Sequence, residues 1–437
     1  MNAFLEGCQK QFSEQSAHLP GWNALPIRNS RQEAMQRGAQ IGLPTPQLET
    51  WKYTPTRTLA QSRPRFHTEG CVGLDLEDLE PLLLDRREGH RLVFINGLLS
   101  RSLSRWQDLP AGVRVDSMAN LARQAPSLLE PCLDRFLTGN DQGFAEINHA
   151  LWLDGAFVQI SPGVCLSKPL QLLFVTTAFQ EPIVTLPWNL VLAGNDTQAM
   201  VIESYASLGR SSHFTNAYTT LMLNAGARLE HLLMLTETTA AQHVGTVQAI
   251  QQARSHLDSR IFSVGGALTR QDVQIMLAGE GSRCLQEGVF LAGGRQHMDF
   301  HTWLHHLRSD TRSEQLFKGI LDGQAHGVFN GVVRVPQGVK QIRASQKTAN
   351  LLLSDTAEID AKPQLEIHSD AVQCNHGASV GTLDPDALFY LHSRGLDLET
   401  ARRVLVHGFA AELLQRVQPA AVREWVAQRL NLEGSAP

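Results

Sequence analysis

The chain is poor in cysteine, with six in 437 residues. They are Cys8, Cys71, Cys132, Cys165, Cys284 and Cys374, and no two form a Cys-x-x-Cys pair. A self-contained ferredoxin-type cluster needs four thiolates at close spacing, so that class is excluded. In a reducing compartment most of these thiols are expected to be free and buried as small hydrophobes. An excess of basic residues is missing as well. Against 43 Asp and Glu stand 38 Lys and Arg, a formal net charge of −5, which argues against an extended nucleic-acid surface. Aromatic content is only 6%. The chain has no apolar run of about 18 residues, the length a transmembrane helix requires. Its start, MNAFLEGCQKQFSEQ, lacks a basic segment followed by an apolar one, so no signal peptide is expected and the expected location is cytoplasmic. The phosphate-loop pattern GxxxxGK[ST] is absent, so the chain is not expected to hydrolyse ATP itself. Nor is a nucleophile elbow expected.

What is present divides the chain into three. Residues 1–150 read as helical and mixed, with scattered prolines. A helix is expected over Ser30 to Ile41, capped by Ser30 with Glu33 three residues on, and stopped by Gly42, Pro44 and Pro46. Further short helices are expected over Leu74 to Leu84 and Leu128 to Thr138. RLVFINGLLS, Arg91 to Ser100, has the form of a β-hairpin turning at Asn96-Gly97. From about Leu151 helical periodicity gives way to short apolar runs between Gly, Asn and Asp turns. Four segments superimpose: DTQAMVIES from Asp196, GARLEHLLM from Gly226, RSHLDSRIF from Arg254 and GSRCLQEGV from Gly281. Their starts fall 30, 28 and 27 residues apart. A drifting period near 28 with strand-like alternation predicts the coils of a parallel β-solenoid over residues 151–384. The Gly-rich pieces Val264 to Ala267 and Ala292 to Arg295 are then solenoid turns. Solenoids grow in one dimension, which weakens any domain count taken from length.

Over residues 385–437 helical periodicity returns. Asp397 can cap a helix carrying Ala401, Val404, Leu405, Phe409 and Leu413 on one face. Pro419 suits the first turn of a second helix with a stripe of Val422, Trp425, Val426 and Leu430. The two stripes exceed what a helix pair buries internally, so they are expected to cover the solenoid end, a partner, or both.

Three groups of side chains could carry chemistry. Cys374 and His376 lie two apart in a strand-like run, which places a soft thiol and an imidazole on one face. They make half a metal or sulfur site, and the shortage suggests a site shared with another chain. HMDFHTWLHH holds His297, His301, His305 and His306. Flanking glycines and Trp303 favour a strand, with the histidines forming a solvated face. Cys165 and Cys284 sit in strand-like runs and are expected in the core. Around Trp51, Lys52 and Tyr53, packing of the N-terminal segment onto the body and an interaction surface both remain open.

PQLEIHSDAVQCNHGASVG (Pro363 to Gly381), LFYLHSRGL (Leu388 to Leu396) and LETWKYTP (Leu48 to Pro55) together resemble the SufB/SufD family of iron–sulfur cluster assembly proteins, on its SufD side. The similarity runs from about residue 40 to the end. It implies a mainly β protein, a right-handed parallel β-helix flanked by N-terminal and C-terminal helical segments. It implies a non-catalytic scaffold subunit with no tightly bound cofactor. Cys374 and His376 would be shared iron or Fe–S ligands at a contact with a SufB-like paralogue, where a transient cluster forms. The C-terminal helices would dock a SufC-like ATPase, which binds the ATP. Isolated, the chain could form a homodimer. Two other readings stand beside it: a metal-dependent β-helix or cupin-like enzyme using His297, His301, His368 or His376, and a ligand-free β-solenoid docking platform.

Overall fold

The computed structural model describes residues 2–66, 73–85, 89–134, 141–177, 182–210 and 212–431. Cys71 and the end of the segment expected as a helix from Leu128 lie outside these residues. The body is a parallel β-solenoid of two facing ten-stranded sheets. Successive strands alternate between them. Sheet I takes Gln198–Leu208, Arg228–Thr236, His256–Ser263, Arg283–Ala292, Arg312–Leu321, Ile342–Leu352 and Val372–Thr382 in that order. Sheet II runs through His213–Leu223, Gln242–Gln251, Leu268–Leu277, His297–His306, His326–Val335 and Glu358–Ile367.

The four superimposed segments are four consecutive neighbours in sheet I. Gln198 pairs with Arg228, Arg228 with His256, and His256 with Arg283, so each strand starts two residues after the expected repeat start. The register continues through Arg312 and Arg343 to Gln373. Two positions before Gln198, Arg228, His256, Arg283, Arg312 and Arg343 the chain turns through a left-handed residue: Asp196, Gly226, Arg254, Gly281, Asp310 and Gln341. All but the Gly281 amide bond to the next coil, for example Asp196 N to Ala225 O at 2.9 Å and Gln341 N to Ala371 O at 2.8 Å. Positive φ favours Gly and Asp, the residues that marked these turns in the sequence. At Gly226 a Cβ would lie 2.0 Å from an Asp196 carboxylate oxygen, so that side chain would have to move aside.

Alternation along each strand sends one set of side chains between the sheets. Leu229, Leu257, Cys284 and Ala344 form one such column, all buried. Aromatic rings bridge the sheets, with centroids 4.9 Å apart for Phe290 and Phe300 and 4.8 Å for Phe317 and Phe329. Because each coil buries its apolar face only against its neighbours, the core is continuous along the axis.

At the N-terminal end the sheets are finished differently. The hairpin forms as expected, with Asn96 and Gly97 both at positive φ. Its first strand, His90–Ile95, joins sheet I in parallel; its second, Leu98–Arg105, runs antiparallel and ends the sheet. Val113–Ser117 ends sheet II in the same way. The expected helix from Ser30 begins earlier, spanning Leu25–Ile41, because Pro26 fits its first turn. Ser30 is therefore inside the helix, and its Oγ lies 2.8 Å from His149 Nε2. Gly42 does end it, at φ 74°. The Leu74–Leu84 segment resolves into a short α-helix, Leu76–Leu79, with a 3-10 turn, and the segment from Leu128 into the helix Glu130–Leu133. The helix Gly143–Leu151, buried throughout, was not anticipated. Arg31 closes its C-terminal end, donating to Ala150 O at 2.9 Å and Trp152 O at 3.0 Å with the guanidinium 3.8 Å from the Trp152 ring centre.

The C-terminal helices do not cover the solenoid end. Leu398–Leu414, capped by Asp397 as expected, and Ala420–Arg429 lie along the outer face of sheet I. Leu413, Val422, Trp425 and Val426 pack there on Ile202, Leu232, Phe262 and Val289. Apart from Val404, which stays exposed, their stripes are satisfied laterally because outward side chains such as Ile202, Leu232 and Phe262 are apolar.

Candidate functional site

Val372–Thr382 is the last strand of sheet I and pairs on one side only, with Ile342–Leu352. Glu358–Ile367 is the corresponding last strand of sheet II. No helix lies over this end among the described residues, and the residues of Val372–Thr382 are half-buried or exposed. Cys374 and His376 are in this strand, opposite Ala344 and Gln346. Ala344 belongs to the interior column, so Cys374 and, two residues on, His376 continue the inward-facing rows at an open end. Cys374 is half-buried, packed against the core cluster. Burial pushes its thiol above the ordinary cysteine value, opposed by a hydrogen bond with the Ala344 backbone. The thiol is therefore held protonated in the free chain, and a metal or sulfur cargo must displace the proton. No group of three or more His, Cys, Asp or Glu side chains suited to a metal ion occurs among the described residues. One soft sulfur and one imidazole nitrogen suit iron or an Fe–S cluster chemically but do not complete a ligand set.

Beneath this layer runs a row that sequence patterning missed. Gln346 donates to Gln315 Oε1 at 2.6 Å; Gln315 in turn donates to Gln286 and, across the interior, to Thr302 Oγ1 at 2.8 Å. Gln346 is fully buried at the level of His376, and its Oε1 has no hydrogen-bond partner. The only signal for this row is a glutamine recurring at the fourth position of successive repeats, visible once the register is known.

The histidine-rich segment is a strand, as expected, but its histidines do not form a solvated face. His301 and His306 are buried, and His297 is largely so. His297 Nε2 lies 2.9 Å from Thr54 Oγ1, and His301 Nε2 lies 3.0 Å from Asp299 Oδ1. Asp299 also receives Thr54 and, at 2.5 Å, Arg270, whose guanidinium stacks 4.0 Å from the Trp51 ring centre. The segment from Leu48 to Pro55 thus packs on the body through buried Trp51 and Thr54, while Lys52 stays exposed. His306 points inward instead, to Thr311 Oγ1 at 2.7 Å and Ser313 Oγ at 2.9 Å. His297 and His301 belong to sheet II, His376 to sheet I and His368 to the exposed bend between the last strands, so the structure does not gather those four. Cys284 is core, but Cys165 is exposed: it makes only an isolated bridge to Gln198, outside the regular strands. Cys8 and Cys132 are buried as expected. Gly377 to Gly381 does spell G-x-S-x-G, but inside a continuous strand without the turn and helix of a nucleophile elbow.

The fold and site define a class: a parallel β-solenoid capped at one end and carrying a lone thiol and imidazole in the last strand of the other. Residues 174–409 match the "SUF system FeS cluster assembly, SufBD core domain" family, and residues 6–172 match the "SufBD protein N-terminal region". The chain is 31% identical over 421 residues to an iron-sulfur cluster assembly SufBD family protein of Synechocystis, covering 94% of this chain and 92% of that one. It is 30% identical over 404 residues to the iron-sulfur cluster assembly protein SufD of Escherichia coli, covering 92% and 91%. With SufB of Bacillus subtilis it shares 24% over 270 residues, 62% of this chain and 58% of that one. The chain belongs to the SufBD family. No described helix is long and apolar enough to cross a membrane.

Proposed function

We propose that this chain is a non-catalytic scaffold subunit for iron–sulfur cluster assembly in the cytoplasm, working in a SufBCD-type complex. The observation that carries this reading is the open end of the solenoid, where an unpaired strand edge presents Cys374 and His376 with no three-residue ligand group among the described residues. An exposed edge is a template for pairing with another chain. Val372–Thr382 contains no Lys, Arg, Asp, Glu or Pro to discourage it. A SufB-like paralogue presenting its own last coil would cover this edge, shield the protonated Cys374 and supply the missing ligands. Iron and sulfide are cargo at that contact. Few ligands per chain at a separable interface allow a cluster to form and then leave. Alone, the chain would cover the same edge with a second copy.

The helix Pro385–Ser393 and the start of Leu398–Leu414 support a second contact. Phe389 is 73% exposed, Leu398 58% and Tyr390 55%, beside Val404 at 41%. An apolar cluster of this kind marks a protein interface, and we assign it to a SufC-like ATPase, which binds the ATP.

The test is co-expression with SufB-like and SufC-like partners, followed by purification under anaerobic conditions. Cys374→Ala and His376→Ala are expected to leave complex formation intact and abolish cluster formation. Wild-type cluster yield from the double variant would reduce the chain to a docking platform. Phe389→Asp with Leu398→Asp should release the ATPase and keep the paralogue; retention of the ATPase would overturn the second contact.

A further inference from the structure

Near the start of the sheet I strands from Arg228 onward, one position per strand alternates with the inward-facing column, and the register stacks these residues in one line. Arg228, His256, Arg283, Arg312 and Arg343 are direct neighbours, and Gln373 follows them in the strand that holds Cys374. Adjacent coils are about 4.8 Å apart, so the guanidinium groups form a ladder along the solenoid axis. Like charges directly opposite on neighbouring strands repel, and the usual relief is a carboxylate. His256 has one, with Asp258 Oδ1 at 2.8 Å. Among the described residues no carboxylate lies within 4.0 Å of Arg283, Arg312 or Arg343. The neighbouring Glu314 also lines the groove described next, and its carboxylate turns to Arg416 of the C-terminal helix at 3.3 Å. Asp310 and Asp370 line the adjoining corner with Arg312 and Arg343 without pairing directly to them.

These three arginines line a groove of about 430 Å³ on the outer face of sheet I. Leu285 gives it an apolar wall, and Ser345, Gln373 and Asn375 add hydrogen-bonding groups at the end nearest Cys374. Its volume is that of a small-molecule site. Guanidinium forks match the oxygens of phosphate and carboxylate groups in pairs. We infer that Arg283, Arg312 and Arg343 form a binding site for a small organic or inorganic polyanion, one carrying at least two phosphate or carboxylate groups set along the ladder. This site is distinct from Cys374 and His376, which face the interior from the opposite side of the sheet, and it stands or falls independently of the proposed scaffold role.

The test uses the full chain with two probes, inorganic diphosphate and citrate, titrated calorimetrically at low and at physiological ionic strength. Saturable one-to-one binding of either probe is expected, weakened about tenfold by Arg312→Gln, the loss expected for one charge-assisted hydrogen-bonded contact. Diphosphate alone would identify a phosphate ligand, and citrate alone a carboxylate ligand. Arg403→Gln, an exposed arginine on the C-terminal helix, should leave the affinity unchanged. The free Arg312→Gln chain should melt no lower than the parent, since it loses a repulsion and no partner. Absence of binding by both probes, equal weakening by Arg403→Gln, or unchanged affinity in Arg312→Gln would overturn the site.

Discussion

The two ends of the solenoid are built from opposite rules. At the N-terminal end each sheet stops in an antiparallel strand, Leu98–Arg105 or Val113–Ser117, delivered by short local connections. These strands carry Arg101, Arg105, Arg114 and Asp116, charges of the kind that discourage further pairing. Helices from the first 151 residues then pack over the adjoining coils. At the C-terminal end the last strands continue the parallel repeat without a reversal. Glu358–Ile367 has Pro363 and several charges, the ordinary defences of an edge. Val372–Thr382 has none, and it holds the thiol and the imidazole. Protection is therefore withheld on one strand of the four, the one bearing candidate chemistry. An undefended edge costs solubility, and its retention beside Cys374 and His376 is the physical argument that a partner covers it.

The largest expected effect comes from defending that edge. Ala378→Lys puts an inward charge at the open end and should weaken partner binding at least about tenfold, read by co-purification or calorimetry. Ser102→Lys in the opposite edge should change nothing, and equal losses from both would erase the distinction between the ends. Next come the interior columns. Leu257→Ala, in the middle of the solenoid, should cost about 2–5 kcal/mol in denaturant unfolding because the neighbouring coils cannot close the cavity. A third effect is mild-acid instability of the capped body. Burial lowers His149 to about 3, and His297 and His306 to about 4, from an ordinary 6.5. Their neutral forms are favoured in the fold, so their stabilising contribution is complete above pH 6.5 and falls as pH drops from 6.5 towards 4. Each should contribute about 2 kcal/mol of loss by pH 5, checked by unfolding at stepped pH. His306→Gln should shallow that slope; an unchanged slope would remove His306 from the account. The smallest effect belongs to the open end: Cys374→Ala in the free chain should cost about 1 kcal/mol or less, since the side chain is only half-buried. A cost equal to that of Leu257→Ala would mean that the end is closed in solution.

Much of the architecture was legible because solenoid repeats are local. The turn residues at Asp196, Gly226, Arg254 and Gly281 recur where positive φ is required, and that requirement survives in the sequence as a period. The hairpin at Asn96-Gly97 and the cap at Asp397 were readable for the same reason, each being satisfied within a few residues. Misreadings fell where a distant partner decided the outcome. Ser30 looks like a helix cap, but His149 claims its hydroxyl. His297 and His301 look solvated, yet the segment around Trp51 lies over them, and His306 turns inward. Cys165 has a strand-like context, but only one bridge forms there. For the candidate site, the pairing of Cys374 and His376 on one face came from alternation, whereas their position at an open end did not.

The sequence by itself determined the repeat, its strand alternation and the spacing of Cys374 and His376, because each follows from backbone conformations chosen within one coil. Only the tertiary structure decided that the C-terminal helices lie along the side of sheet I and leave the last coil bare. It also turned five separated basic residues into one ladder. Both depend on stacking coils in register, a relation between residues about 28 apart in the chain that no local preference encodes.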